Sequence, residues 1–458
     1  MKSLLNKFAL FFICIILLFN ITGVKADEVL SVEISDAIQA SEVIESPDDF
    51  ELEGILTSYD IMDQQAGYLP EIAQENTLQQ GIDSDIKSNA VGVSINAKNF
   101  PDKKFRNYIK TEFGKGDSTL TKAEIEDVTY IYVDDMGITS LKGIEIFTNL
   151  EVLSCLNNKL TELNVSKFPS LESLCCSENK LSKLDVSKNR KLEYIYCSGN
   201  MISSLNLRDC SELRSLDCSG NRISKLDLTA NTKLNTLECN NNRLSSLDIS
   251  KCKALEGLYC SDNKISKLNV TKHKKLEYLY CSGNKISSLN LRNCSELRSL
   301  DCSGNRISKL DITANTKLNT LECNNNRLSS LDISKCKALE GLYCSDNKIS
   351  KLNVTNNSKL EYLYCSGNKI SSLNVLKCTK LIYLDCSYNS ISSYDVAQLP
   401  DHLYKMAIKA RWETDYPSVH CSNGKYYIAF PADTTLYNGS DIIYSPTRDD
   451  NHYRKRFS

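Results

Sequence analysis

Cysteine offers this 458-residue chain its richest chemistry: there are twenty, against four histidines. Twelve of them (Cys155, Cys176, Cys197, Cys218, Cys239, Cys260, Cys281, Cys302, Cys323, Cys344, Cys365 and Cys386) stand 21 residues apart, and each is followed three residues later by an asparagine, from Asn158 to Asn389. Thiols so arranged could form disulfides, hold a soft metal or attack an electrophile, and each use needs a partner in reach. The repeat supplies no inward-facing histidine or acid. His273 stands where other repeats carry Asn or Cys and reads as a structural place-holder. His402, His420 and Cys421 lie near the C-terminus and would allow a Cys/His nucleophile pair, but they lack any family signature for one. There is no phosphate-cradling glycine loop, no dinucleotide-binding glycine pattern and no zinc spacing. The residue types therefore point to no catalytic set, no metal and no cofactor, and to an interaction protein rather than an enzyme.

A fixed period means a stacked repeat in which each copy buries its neighbour's apolar face. One copy, Leu276 to Leu291, fits the template L-x-x-L-x-C-x-x-N-x-I/L-x-x-L-x-L/V/I. Around Leu279-Tyr280-Cys281 the pattern alternates, so Leu279 and Cys281 point inward and Tyr278 and Tyr280 outward on a short strand. The ladder cysteines then lie side by side on adjacent parallel strands, an orientation that suits packing better than disulfide geometry, and a buried Cys is a good small hydrophobe. The expectation is a reduced, buried ladder. Each asparagine is expected to turn inward and bond loop backbone. A second period lies over the first: Cys210, Cys252, Cys294, Cys336 and Cys378 are 42 residues apart, alternating with Asn189, Asn231, His273, Asn315 and Asn357. Residues 192–270 and 276–354 are nearly the same sequence at an offset of 84, which marks a block duplication.

The template resembles the leucine-rich repeat with Cys in place of one Leu, over about residues 141–396. That resemblance implies an α/β repeat fold, a solenoid of about twelve coils with a curved parallel β-sheet on its concave face. Residues 91–140 resemble the degenerate, metal-free EF-hand cap that precedes the repeats in internalin-type bacterial proteins. Phe100-Pro101 opens a helix with apolar Phe105, Tyr108, Ile109 and Phe113, and Thr121 with Glu124 spells a capping box for a second. The stretch Phe113–Glu124 lacks the oxygen ligands of a calcium loop, with Lys115 intruding and Ser118 where glycine is needed. Residues 397–458 read as a β-rich C-terminal cap, with no L-P-x-T-G anchor motif.

The first 26 residues read as a secretory signal: Lys2 and Lys7, an apolar core Phe8–Leu18, then Val24-Lys25-Ala26. No later stretch approaches membrane-spanning length. Residues 27–90 hold sixteen acids and one base, Lys87, and read as a disordered acidic leader, while 91–458 carry about ten net positive charges. The lysines are scattered singly along the sequence, which with export argues against nucleic acid as a partner.

The candidate site is the concave face, read at the two outward positions before each ladder cysteine. It comprises Tyr194, Tyr196, Asp217, Glu238, Tyr259, Tyr278, Tyr280, Asp301, Glu322, Tyr343, Tyr362, Tyr364 and Tyr383. Tyrosine gives broad amphipathic contact at low entropy cost. The reading is a secreted or cell-surface binding protein, adhesin-like or internalin-like, that takes a protein or glycan at a cell surface. The alternative is a structural spacer of the cell envelope without a specific ligand.

Overall fold

The computed structural model of the chain describes residues 92–386 and 388–390 in full. Beyond them it describes the backbone strands Lys405–Ala407, Val419–Ser422, Lys425–Ile428, Leu436–Asn438, Asp441–Tyr444 and Lys455–Phe457. The signal, the acidic leader and the side chains of the C-terminal stretch, His402, His420 and Cys421 among them, lie outside the described residues.

Each template copy makes one three-residue strand. The twelve strands from Val152–Ser154 to Tyr383–Asp385 pair in parallel and in register, as Tyr278 with Gly257 and Leu279 with Leu258. Tyr130–Tyr132 and Lys405–Ala407 extend the sheet to 14 strands. The opposite side is built from turns and the short pair Leu289–Asn290 and Leu310–Asp311. Among the described residues, helices occur only before the array, as α1 (Lys103–Glu112), α2 (Lys122–Glu126) and the single 3-10 turn Ile144–Ile146. A 21-residue coil leaves too little chain between strands for a helix, so the repeat is a β-solenoid with helices confined to its start.

The interior is columnar. Leu279, Cys281, Ile286 and Leu291 and their counterparts among the described residues are buried. All eighteen cysteines among the described residues are unpaired, and the twelve of the ladder are fully covered. Burial pushes the Cys260 and Cys344 thiols up to about 12 and that of Cys281 well above its usual range, so they are un-ionised and unreactive.

The asparagines hold the coils together. Asn284 accepts from Ile265 N–H of the preceding coil at 2.9 Å and donates to Cys260 O of that coil at 2.9 Å. Its amide also reaches Cys281 O and Ser282 O of its own loop, each at 3.1 Å. The same set recurs around Asn200, Asn221 and Asn305. The residue before each asparagine sits at positive φ, from 49° at Asn157 to 63° at Gly367, which explains why Gly, Asn and Asp dominate that position. At the start, Asp102 caps α1 through Lys104 N–H and Phe105 N–H, and its other oxygen accepts from Thr139 N–H and Oγ1 at 2.9 and 2.7 Å. Thr121 and Glu124 form the expected capping box on α2, which commits the Glu124 carboxylate to Thr121 rather than to an ion. Phe113 packs on Phe147 of the first coil with ring centroids 5.6 Å apart.

These contacts rank three substitutions. Cys281→Val keeps volume and polarity and should cost under about 1.5 kcal/mol. Cys281→Ser buries a hydroxyl and should cost about 1–3 kcal/mol. Asn284→Ala leaves a buried N–H and carbonyls unmet and should cost on the order of 3 kcal/mol or more. Urea unfolding under reductant gives the order directly; a Cys281→Val penalty as large as that of Asn284→Ala would contradict this account of the core.

Candidate functional site

Because the strands are in register, the two outward positions of each coil form two straight columns. One runs Tyr196, Asp217, Glu238, Tyr259, Tyr280, Asp301, Glu322, Tyr343, Tyr364, Asp385. The other carries Tyr194, Tyr278, Tyr362 and Tyr383 with smaller residues between. All thirteen residues expected from sequence stand on this one face, most of them half-buried and Tyr362 exposed.

Neighbouring rings pack on one another. Tyr259 and Tyr280 have centroids 5.1 Å apart, Tyr343 and Tyr364 4.9 Å, and Tyr364 and Tyr383 4.4 Å, the last two stacked. Gly257 makes room for this, because a Cβ there would meet Cε2 of Tyr259 at 2.9 Å; Gly341 does the same for Tyr343 at 3.0 Å. Tyr280 donates its hydroxyl proton to, or accepts one from, Ser299 Oγ at 2.9 Å. The rings are thus fixed along the sheet rather than free to swing.

Between the aromatic groups sit two acid pairs, Asp217 with Glu238 and Asp301 with Glu322, each pair opposed on adjacent strands. Burial against the sheet, reinforced by the neighbouring aspartate, pushes Glu238 and Glu322 up to about 7. Asp217 and Asp301 stay tied locally, each accepting from the N–H two residues on (Ser219 and Ser303) at 2.9 Å. Near neutral pH Glu238 and Glu322 are therefore each divided between the neutral and charged forms, and a cation brought against either would drive its proton off. Two depressions, of about 280 and 350 Å³, lie off this face, around Lys309 and Lys351. The concave sheet itself is an open, amphipathic platform suited to an extended ligand.

Tyr130 and Tyr132 were missed in the sequence. They continue the same two columns, 55% and 49% exposed, with ring centroids 5.7 Å apart. Their Tyr-Ile-Tyr strand has the spacing of Tyr194–Tyr196, but Val133 stands where the ladder cysteine should be, so a template anchored on cysteine passes over it.

Two family models match the chain. Residues 274–314 and 358–397 match leucine-rich repeats (2 copies), and residues 100–263 match the LRR domain of the endo-β-N-acetylglucosaminidase EndoS. No match was found among curated proteins. Of solved structures, the functional domain of InlJ from Listeria monocytogenes, which includes a cysteine ladder, is 27% identical; the match covers 77% of this chain and 88% of that one, with a TM-score of 0.58. The internalin InlF of Listeria monocytogenes is 24% identical over 71% of this chain and 99% of that one, TM-score 0.63. LIC12759 of Leptospira interrogans is 23% identical over 60% and 82%, TM-score 0.51. The chain carries leucine-rich repeats and is similar to bacterial internalins.

Glu238 and Glu322 give a pH test. Their ordinary value is near 4.5, and the folded value near 7 is higher, so folding favours the protonated form. The resulting stabilisation is complete below about pH 4.5 and is lost as pH rises through 7. Glu238→Gln with Glu322→Gln removes the titration. Relative to wild type, the double variant should gain stability between pH 5 and 8, by on the order of 1–3 kcal/mol per site. Parallel stability–pH curves would show that the two carboxyls titrate normally.

Proposed function

We propose that this leucine-rich-repeat solenoid, similar in fold to internalins, is an exported binding protein that recognises a protein or glycan at a cell surface through its concave face, without turning it over. The observation that carries the reading is the combination on one rigid sheet of stacked tyrosines and desolvated acid pairs. Fixed rings lose little entropy on binding, and partly desolvated carboxyls are ready to meet hydrogen-bond donors or cations. Export rests on the N-terminal signal pattern. Internalin-like neighbours support a binding role, and the ligand is left to experiment.

The two Tyr/acid patches are four coils apart, about 19 Å along the stack, so a ligand spanning both binds with avidity. A glycan and surface-protein array probed with the full chain should yield a ligand. Tyr278→Ala, Tyr280→Ala, Tyr362→Ala and Tyr364→Ala combined should then abolish binding, because the rings provide most of the contact area, while the thermal melt shifts only slightly. Unaltered binding by that variant would refute the face assignment.

The block duplication favours one rival, a spacer in which length matters more than surface. Removing one 84-residue block separates the two: a spacer keeps its role at reduced length, whereas a two-patch binder loses affinity beyond one patch's share.

A further inference from the structure

The cations that look scattered along the sequence are aligned by the fold. Ten of the twelve coils carry Lys or Arg directly after the ladder asparagine, from Lys159 to Lys369, with Met201 and Ser390 the exceptions. Each of these residues donates its backbone N–H to the carbonyl of the preceding coil, as Lys264 to Leu244 O and Arg306 to Ile286 O at 2.8 Å, so the column is a true stack with a spacing of about 4.8 Å. All ten side chains are exposed. Two residues on, every coil has Ser or Thr, from Thr161 to Ser371. Three residues on, alternate coils add a further exposed lysine, from Lys183 to Lys351. The flank between these columns holds fifteen cations and one acid, Glu162.

None of the fifteen forms an ion pair with the described residues. The seven ion pairs of the described structure involve other columns, such as Arg214 with Glu193, Arg298 with Glu277 and Lys317 with Glu296. Where the strip turns toward the convex side it is dimpled. One depression of about 280 Å³ lies between Lys309 and the hydroxyls of Ser329 and Ser330, and one of about 350 Å³ between Lys351 and Ser371 and Ser372. Asp311 and Asp332 also line the first and Asp332 the second, but their Oδ1 atoms accept from Thr313 N–H and Ser334 N–H, and Asp311 pairs with Arg292. The two depressions are 42 residues apart, two coils or about 10 Å, close to the disaccharide period of an extended polysaccharide.

The strip also behaves differently from the concave face under duplication. Both patterns are copied within the 84-residue blocks, but the concave face changes residue type from coil to coil, whereas the flank keeps a cation at Lys159, Lys180 and Lys369 outside the blocks, and where the copies differ the second has Lys285 against Met201.

We infer that this flank is a second binding site, for a linear sulfated polysaccharide. Sulfate groups would sit against the lysine and arginine heads and in the Lys–Ser–Ser depressions, and the serine column would meet sugar hydroxyls. A regular array of cations favours a regular polyanion, because each contact releases condensed counterions and adds to the same salt-dependent term. The concave face is left free, so the two ligands would bind together.

The test uses the full chain and heparin-derived oligosaccharides as the sulfated probe. Affinity is measured at several salt concentrations beside desulfated heparin, polyphosphate and single-stranded DNA. The strip variant combines Lys264→Gln, Lys285→Gln, Arg306→Gln and Arg327→Gln. The control variant removes the same charge from another exposed column, by Lys191→Gln, Lys233→Gln, Lys275→Gln and Lys317→Gln. The expected result is a loss of heparin affinity of at least tenfold and a shallower salt slope in the strip variant alone, with unchanged melts in both. Equal losses in the two variants would reduce the effect to net charge and overturn the site. Absence of heparin binding by the wild type at physiological salt would overturn it as well. Polyphosphate or DNA binding as tightly as heparin would overturn the sulfated-glycan assignment.

Discussion

The structure depends on one interaction repeated in every coil, the amide of the ladder asparagine. Its oxygen takes an N–H from the preceding coil and its nitrogen returns a bond to that coil's backbone, so it closes its own loop and fastens the loop to its neighbour. Strands of three residues give too few ladder bonds to hold a sheet alone. The asparagine adds four bonds per coil at the point where the chain leaves the strand, inside the core where water cannot compete. Because the stitch recurs at an invariant offset, coils can join only in one register.

A fixed register turns sequence positions into columns, and each column is then subject to its own physics. The ladder column takes small apolar thiols. The second buried column alternates, with Asn189 donating to Val165 O and Phe168 O, and Cys210 in the next coil pointing its thiol toward Val186 O. His273 fills one asparagine place and bonds Ile249 O through Nε2 at 3.0 Å, as a place-holder would. The Oδ1 atoms of Asn189, Asn231, Asn315 and Asn357 and Nδ1 of His273 are buried with no protein partner, so this column is less fully satisfied than the ladder. An alternating column tolerates that cost because the coils on either side are already stitched.

The fold was legible because the interior has the shortest period. Inward Leu279 and Cys281, outward Tyr278 and Tyr280, and the turned-in asparagine all follow from strand alternation and a 21-residue repeat, and all thirteen candidate residues lie on the expected face. Two things were less legible. Tyr130 and Tyr132 belong to the sheet, but their coil lacks the cysteine that defines the template. The raised glutamates could not be seen, since burial of Glu238 depends on how Tyr259 and the sheet close around it rather than on the spacing of acids. The cations show the same gap between sequence and space most plainly. Residues 21 apart look isolated in sequence and are neighbours on the flank of the solenoid.

The periods of the columns also say what each constrains. Interior columns repeat every coil, because a coil without its stitch or its apolar wedge breaks the stack on both sides. The buried second column repeats every two coils. The Tyr/acid face repeats every four, which is the length of the duplicated block, so its two patches count as one feature seen twice rather than as two independent ones. The basic column recurs in ten of the twelve coils although no packing demands it: its side chains are exposed and unpaired with the described residues, and an exposed position of this kind accepts almost any polar residue at little cost. Uniformity imposed by packing is expected inside a solenoid. Uniformity on the surface, running through the duplicated blocks and past both their ends, needs a cause outside the fold, and a ligand that is itself regular along its length is such a cause.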